Sequence, residues 1–187
     1  MERGATLPRA KRTAPTRADM LLAIDVGNTD IKLGVFDGER LCSGWRWSTD
    51  RARMADEYAV LLGWALSHHE LSFSAITRAV LCSVVPSLTG AFSSLCERYL
   101  HQEPLVVTAA VETGVRLAVD NPAEVGGDRI ANVVAASHLY GSPSIVVDFG
   151  TATNFDVVGR DGARIVERHT RRKGRRIGLG GIVREVE

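Results

Sequence analysis

Two turns of the same make, DVGNT starting at Asp25 and DFGTAT starting at Asp148, constrain this chain more than any other feature. Each sets an aspartate at the end of an apolar run and follows it with glycine and a hydroxyl residue. A glycine turn lets backbone N–H groups approach phosphate oxygens, threonine adds a hydroxyl donor, and a strand-end carboxylate can hold a cation that offsets phosphate charge. One such turn reads equally well as an ordinary hairpin with a capping aspartate. Two copies favour a pair of phosphate-handling loops. Both sit inside apparent hairpins, LLAIDV returning as IKLGVF and SIVVDF returning as TNFDVV. GxxxxGK[ST] is absent and no GxGxxG opens a helix after a strand, which argues against a P-loop ATPase and a Rossmann enzyme.

Between the hairpins the pattern alternates strand and helix, the signature of an α/β fold. Asp37-Gly38 is a turn into a strand over 41–48, and Thr49 and Asp50 are placed to cap a helix near 54–68, where Tyr58, Leu61, Leu62, Ala65 and Leu66 recur at helical spacing. AVLCSVV reads as a buried strand, Pro86 opens a second helix, LVV at 105–107 is a further strand, and a third helix runs from Arg129 to Tyr140 and ends before Gly141. A 187-residue chain with 45% hydrophobic and 24% charged residues can bury a core. Cys42, Cys82 and Cys96 lack metal or disulfide spacing and read as buried thiols of a reducing cytoplasm. The five histidines form no HxxxH or HExxH pattern, and Trp45, Trp47 and Trp64 read as packing residues. No apolar run approaches the length of a membrane span.

The net charge of +1 conceals an asymmetry. Residues 1–19 carry five Lys/Arg against two acids, and residues 164–187 eight against three, leaving 20–163 with ten against seventeen, a net −7. Neither basic end has the periodicity or aromatic interleaving of a nucleic-acid site, so both read as solvated tails.

A third motif, Glu124-Val-Gly-Gly-Asp-Arg129, adds a carboxylate beside a cation at the start of a helix. The helix N-terminus and Arg129 both favour an ionised Asp128, which could orient an alcohol and accept its proton during phosphoryl transfer. The bland alternative is a capping aspartate and a surface ion pair.

The segments AIDVGNTDIKLGVFDG, SVVPSLT, NPAEVGGDRIANVVAA and VVDFGTATNFDVV, in this order between Met20 and Asp161, resemble the successive motifs of type III pantothenate kinase, a family of the acetate and sugar kinase, Hsp70 and actin superfamily. The resemblance implies an actin-like (ribonuclease H-like) ATPase lobe of mixed sheet and flanking helices over 20–143, with 144–163 opening a second lobe. The implied activity is ATP-dependent phosphorylation of pantothenate to 4'-phosphopantothenate, the first step of coenzyme A synthesis, in a cytoplasmic homodimer using ATP with Mg2+ and K+ or NH4+. Residue by residue, Asp25, Val26, Gly27, Asn28, Thr29, Asp30, Ile31 and Lys32 match the first ATP-phosphate loop, with Asp25 a candidate divalent-metal ligand. Thr151 matches an ATP contact, Asp148 a monovalent-cation ligand, and Gly126, Gly127, Asp128 and Arg129 the pantothenate site, Asp128 as catalytic base and Arg129 through the substrate carboxylate. Nucleic acid and membrane are not implied as partners.

From Arg164 the sequence departs from the family pattern. No GGAIAPG-like segment follows, GLGGI at 178–182 comes too soon to replace it, and six of the thirteen residues 164–176 are Arg. A frameshift or truncation after about residue 163 is the expectation, with 1–19 a basic extension and 164–187 a divergent tail. A chain so ended is expected to have little kinase activity and to associate. A non-enzymatic member, acting as a transcriptional accessory factor or an inactive nucleotide-binding fragment, is the competing class.

Overall fold

A computed structural model of the chain describes residues 19–149 and 153–159, and the backbone of 164–165 and 168–170. Strand β1 (Met20–Val26) alternates cleanly, with Met20, Leu22, Ile24 and Val26 buried. β2 (Asp30–Asp37) returns antiparallel to it and continues into β3 (Arg40–Ser48). Helix α1 (Ala55–Ser67) then crosses over, and β4 (Ile76–Ser83) lies parallel to β1 on its other side. Helix α2 (Pro86–Leu95) and a π-helical turn (Cys96–Leu100) lead to the short parallel strand β5 (Leu105–Val106). The sheet order is therefore β3-β2-β1-β4-β5, the mixed sheet of the expected ribonuclease H-like lobe.

Helical spacing builds the core of this sheet. Tyr58, Leu62 and Leu66 of α1 and Leu88, Phe92 and Leu95 of α2 are all at 0% exposure, each set forming one apolar stripe. Burying a side chain of this size contributes about 1.5–3 kcal/mol. The Tyr58 ring lies 4.6 Å from that of Phe92, tilted by 32°, and its hydroxyl donates to the Asp50 carbonyl at 3.1 Å. Pro86 occupies the first turn of α2, where its missing N–H costs nothing.

The expected cap of α1 is displaced. Thr49 instead donates its hydroxyl to the Gly27 carbonyl at 2.7 Å, and Asp50 accepts from Ala52 N–H in a turn of its own. Met54 precedes the helix, its N–H bonded to Glu57 at 2.8 Å.

After β6 (Arg116–Leu117) and a 3-10 turn (Pro122–Glu124), helix α3 (Gly127–Tyr140) starts two residues earlier than its sequence pattern suggested. It packs on β4 on one side, and on β7 (Ser144–Phe149) and β8 (Thr153–Val158) on the other. Val125, Ile130, Val133 and Val158 form a second, smaller core, against which Val107, Val115 and Leu117 pack. Two short pieces of the segment expected to be a solvated tail pair as strands: β9 (Arg164–Ile165) runs parallel to β6, and β10 (Arg168–Thr170) antiparallel to β8. The second sheet has the order β10-β8-β7. The basic extension 1–18 and most of the Arg-rich tail lie outside the described residues.

The parallel pairing of β1 with β4, and of β4 with β5, gathers their carboxyl ends at one edge, where β2 begins and β3 ends. In open α/β sheets this is where ligands bind. Val84 N–H donates to the Val26 carbonyl at 3.0 Å and Val107 N–H to Leu81 at 2.9 Å, tying these ends together.

Candidate active site

The first loop leaves β1 at Asp25, whose neighbours in register are Lys32 on β2 and Cys82 on β4. Lys32 Nζ donates to Asp25 Oδ2 at 3.2 Å, with both side chains partly exposed. Exposed pairs of this kind contribute at most about 1 kcal/mol, so little holds the lysine to this carboxylate. Gly27 N–H closes the loop on the Asp30 carbonyl at 2.9 Å, and a Cβ on Gly27 would press that oxygen at 3.0 Å. Asn28 and Thr29 are exposed at the tip. Val26 and Ile31 have side chains at 0% exposure, so only their backbone could meet a phosphate. Asp30 pairs with Arg46.

The loop is held by two residues just past β3: Thr49, expected from sequence to cap a helix, and Arg51, which no motif marked. Besides the Thr49 hydroxyl bond, Thr49 N–H donates to the Thr29 carbonyl at 3.0 Å, and Arg51 donates to Asn28 Oδ1 at 2.8 Å. Their signal was positional: the Asp30 to Ser48 register ends β3 beside the turn, so the residues just after Ser48 must lie along it.

The third motif arrives at the same edge because its glycines permit it. A Cβ on Gly127 would lie 2.4 Å from the Val107 carbonyl oxygen, and one on Gly126 would lie 3.2 Å from Val84 Cγ1. Only glycines let the start of α3 sit this close to the ends of β4 and β5. Asp128, in the first helical turn, is half-buried and accepts the Arg129 N–H at 2.8 Å. Burial is the main force raising its carboxyl pKa. The charges of Asp25 and Asp148 push the same way, and the bond from Arg129 N–H and the Arg129 charge oppose them. The net shift is upward, opposite in direction to the lowering that the helix start and Arg129 suggested from sequence.

Arg129 explains part of that shift. Its guanidinium is buried, with Nε donating to Asp156 Oδ1 at 2.8 Å and Nη2 to the same oxygen. It forms neither the surface pair nor an exposed fork, and Asp156 offsets its charge beside Asp128. Cys82 lies beneath the carboxylates. Burial first, then Asp25 and Asp128, push its thiol up to about 11, so it stays protonated and inert.

Asp25 from β1, Asp128 from α3 and Asp148 near the end of β7 thus share one electrostatic neighbourhood drawn from three distant parts of the chain. Among the described residues no three His, Cys, Asp or Glu side chains are near enough to hold a metal by themselves. Magnesium needs only one or two carboxylates, with phosphate and water completing its shell. Mutually repelling strand-end carboxylates fit that donor set. Thr151 lies outside the described residues. A groove of about 520 Å³ between α3 and β7, lined by Ala135, Leu139, Ile145 and Val147 among others, includes none of the three carboxylates and is apolar.

A β3-β2-β1-β4-β5 mixed sheet with the Asp25 loop at its carboxyl edge, met there by the acidic start of a helix, defines an actin-like lobe. The family model described as type III pantothenate kinase matches residues 21–165. The chain belongs to that family. A type III pantothenate kinase of Roseiflexus sp. (strain RS-1) is 51% identical over 146 residues, covering 78% of this chain and 57% of the relative. That of Geobacter sulfurreducens is 50% identical over 143 residues, covering 76% and 56%. The chain spans a little over half the length of these relatives. Among solved structures, the ROK hexokinase of Thermus thermophilus aligns with a TM-score of 0.42 at 19% identity, covering 79% of this chain and 47% of that one. A likeness that distant assigns no activity.

Proposed function

We propose that the protein takes part in ATP-dependent phosphorylation of pantothenate, forming 4'-phosphopantothenate in coenzyme A synthesis. Family membership supports the substrate pair, and the convergence of Asp25, Asp128 and Asp148 is the observation that carries the chemistry. In this reading the loop Asp25 to Lys32 receives the ATP phosphates through its backbone and Lys32, with Thr151 a further ATP contact. Gly126, Gly127, Asp128 and Arg129 receive pantothenate. Asp128 accepts the proton of the substrate's primary hydroxyl as its oxygen bonds to the γ-phosphorus and the bond to the ADP oxygen breaks. A raised proton affinity makes Asp128 a stronger base than an ordinary aspartate. The rest is positioning and charge neutralisation of a loose phosphoryl transition state.

Asp25, with Asp148 near, would hold Mg2+, which supplies charge neutralisation at the phosphates. Potassium or ammonium at Asp148, a homodimeric assembly and a cytoplasmic location belong to the same proposal and rest on resemblance. Among the described residues no helix is long and apolar enough to cross a membrane.

An ADP-release assay with and without pantothenate, run on this sequence extended to the full length of its relatives, tests the reading. Pantothenate-dependent turnover, at roughly 1–100 per second for an ordinary kinase, is the expected result. ADP release indifferent to pantothenate, or none in the presence of both substrates and Mg2+ with K+, would overturn it in favour of a nucleotide-binding or accessory role.

A further inference from the structure

Asp156 was singled out by no motif, yet it is the buried acid on which the pantothenate segment rests. It lies on β8 between Phe155 and Val157 at 0% exposure, and its partner Arg129 is at 5%. One oxygen, Oδ1, accepts both Nε and Nη2 of Arg129. The other, Oδ2, is buried with no hydrogen-bond partner among the described residues. An ion pair so placed is a poor device for stability, since two apolar side chains of similar volume commonly serve as well or better.

Its geometry suits another purpose. Arg129 joins several groups: its backbone N–H is shared by Asp128 Oδ1 at 2.8 Å and the Gly126 carbonyl at 3.1 Å, and its guanidinium is bound to Asp156. Two donors converging on a single oxygen fix the plane of the guanidinium, and a planar fork recognises a carboxylate only when its plane is set.

We propose that Asp156 is a positioning residue, which holds the Arg129 guanidinium and the start of α3 in the orientation that recognises the carboxylate end of the substrate. This rests on the reading of Gly126 to Arg129 as the pantothenate site. It assigns carboxylate selectivity to a β8 residue 27 positions from Arg129, outside any segment that touches substrate.

The test compares pantothenate with pantothenyl alcohol, in which a hydroxymethyl group replaces the carboxylate. Binding by calorimetry and phosphorylation kinetics are measured for this sequence extended to the length of its relatives, as wild type and as Asp156→Asn, Asp156→Glu and Arg129→Lys. Asp156→Asn should lower the preference for the acid over the alcohol about tenfold or more, through KM for pantothenate, because a charge-assisted fork is lost. Values for the alcohol should stay within about threefold. Asp156→Glu should recover part of the preference, and Arg129→Lys should lose it, keeping the charge but not the fork. Equal losses on both compounds would reveal a structural role and overturn the proposal, as would an undiminished preference in Asp156→Asn. Should Asp156→Asn fail to fold, Arg129→Lys decides: an unchanged preference there overturns the proposal. A wild-type chain that neither binds nor phosphorylates either compound overturns the pantothenate reading itself, and this proposal with it.

Discussion

Replacing Gly127 by alanine should damage function far more than stability. An added Cβ would lie 2.4 Å from the Val107 carbonyl oxygen, against 3.4 Å where ordinary contact begins, so the start of α3 or the end of β5 must move by about 1 Å. The obstacle is backbone and cannot rotate away. Overpacking of this kind costs about 1–3 kcal/mol, and alanine returns up to about 1 kcal/mol over glycine within a helix. The net loss should therefore be about 0–2 kcal/mol, a fall in Tm of no more than roughly 8 °C for a chain of this size. The same 1 Å displaces Asp128, the next residue, and misplacement on that scale can cost about 10²-fold in rate. Gly90→Ala is the control, since Gly90 lies within α2 with nothing within 4 Å of its Cβ position. It should raise stability by about 0.5–1 kcal/mol and leave turnover unchanged. Thermal unfolding, with pantothenate-dependent ADP release by the sequence extended to the length of its relatives, reads both. Full turnover in Gly127→Ala would refute the claim that the glycine pair places Asp128.

Other changes have distinct signatures. Asp128→Asn should raise thermal stability near neutral pH: the folded-state pKa lies above 3.8, so the ionised form is a burden above that range. The gain over wild type should narrow as pH falls toward 3.8, and melting curves showing a constant or reversed difference would contradict it. Thr49→Val removes the 2.7 Å bond to the Gly27 carbonyl; it should cost about 0.5–1.5 kcal/mol and raise KM for ATP more than KM for pantothenate. Asp148→Ala should abolish stimulation by potassium or ammonium, and unchanged cation dependence would place that ion elsewhere.

Elements that obey a period were legible in the sequence, and partners across the chain were not. The apolar run of β1, the stripe Tyr58, Leu62 and Leu66, and the Pro86 start of α2 each depend on neighbours within a few residues, and all appear in the fold. Thr49 was misassigned because a threonine before a helix is a natural cap, whereas here the nearer acceptor is the Gly27 carbonyl brought beside it by β3 pairing. Arg129 was read with its neighbour Asp128, but its side-chain partner arrives from β8. A clue was present in TNFDVV, where an acid stands within an apolar strand and must find a cation if it points inward. The upward shift at Asp128 was not readable, since it depends on burial and on Asp25 and Asp148 approaching from other elements.

The most direct test of the account is product formation by Asp128→Asn beside wild type, both in the sequence extended to the full length of its relatives. Phosphorus NMR or mass spectrometry would follow 4'-phosphopantothenate and ADP together under saturating ATP, Mg2+, K+ and pantothenate. The account predicts equal amounts of both products from wild type, and a loss of about 10²-fold or more in the variant with its fold intact. Near-normal product from Asp128→Asn, or ADP without phosphopantothenate from wild type, would contradict it.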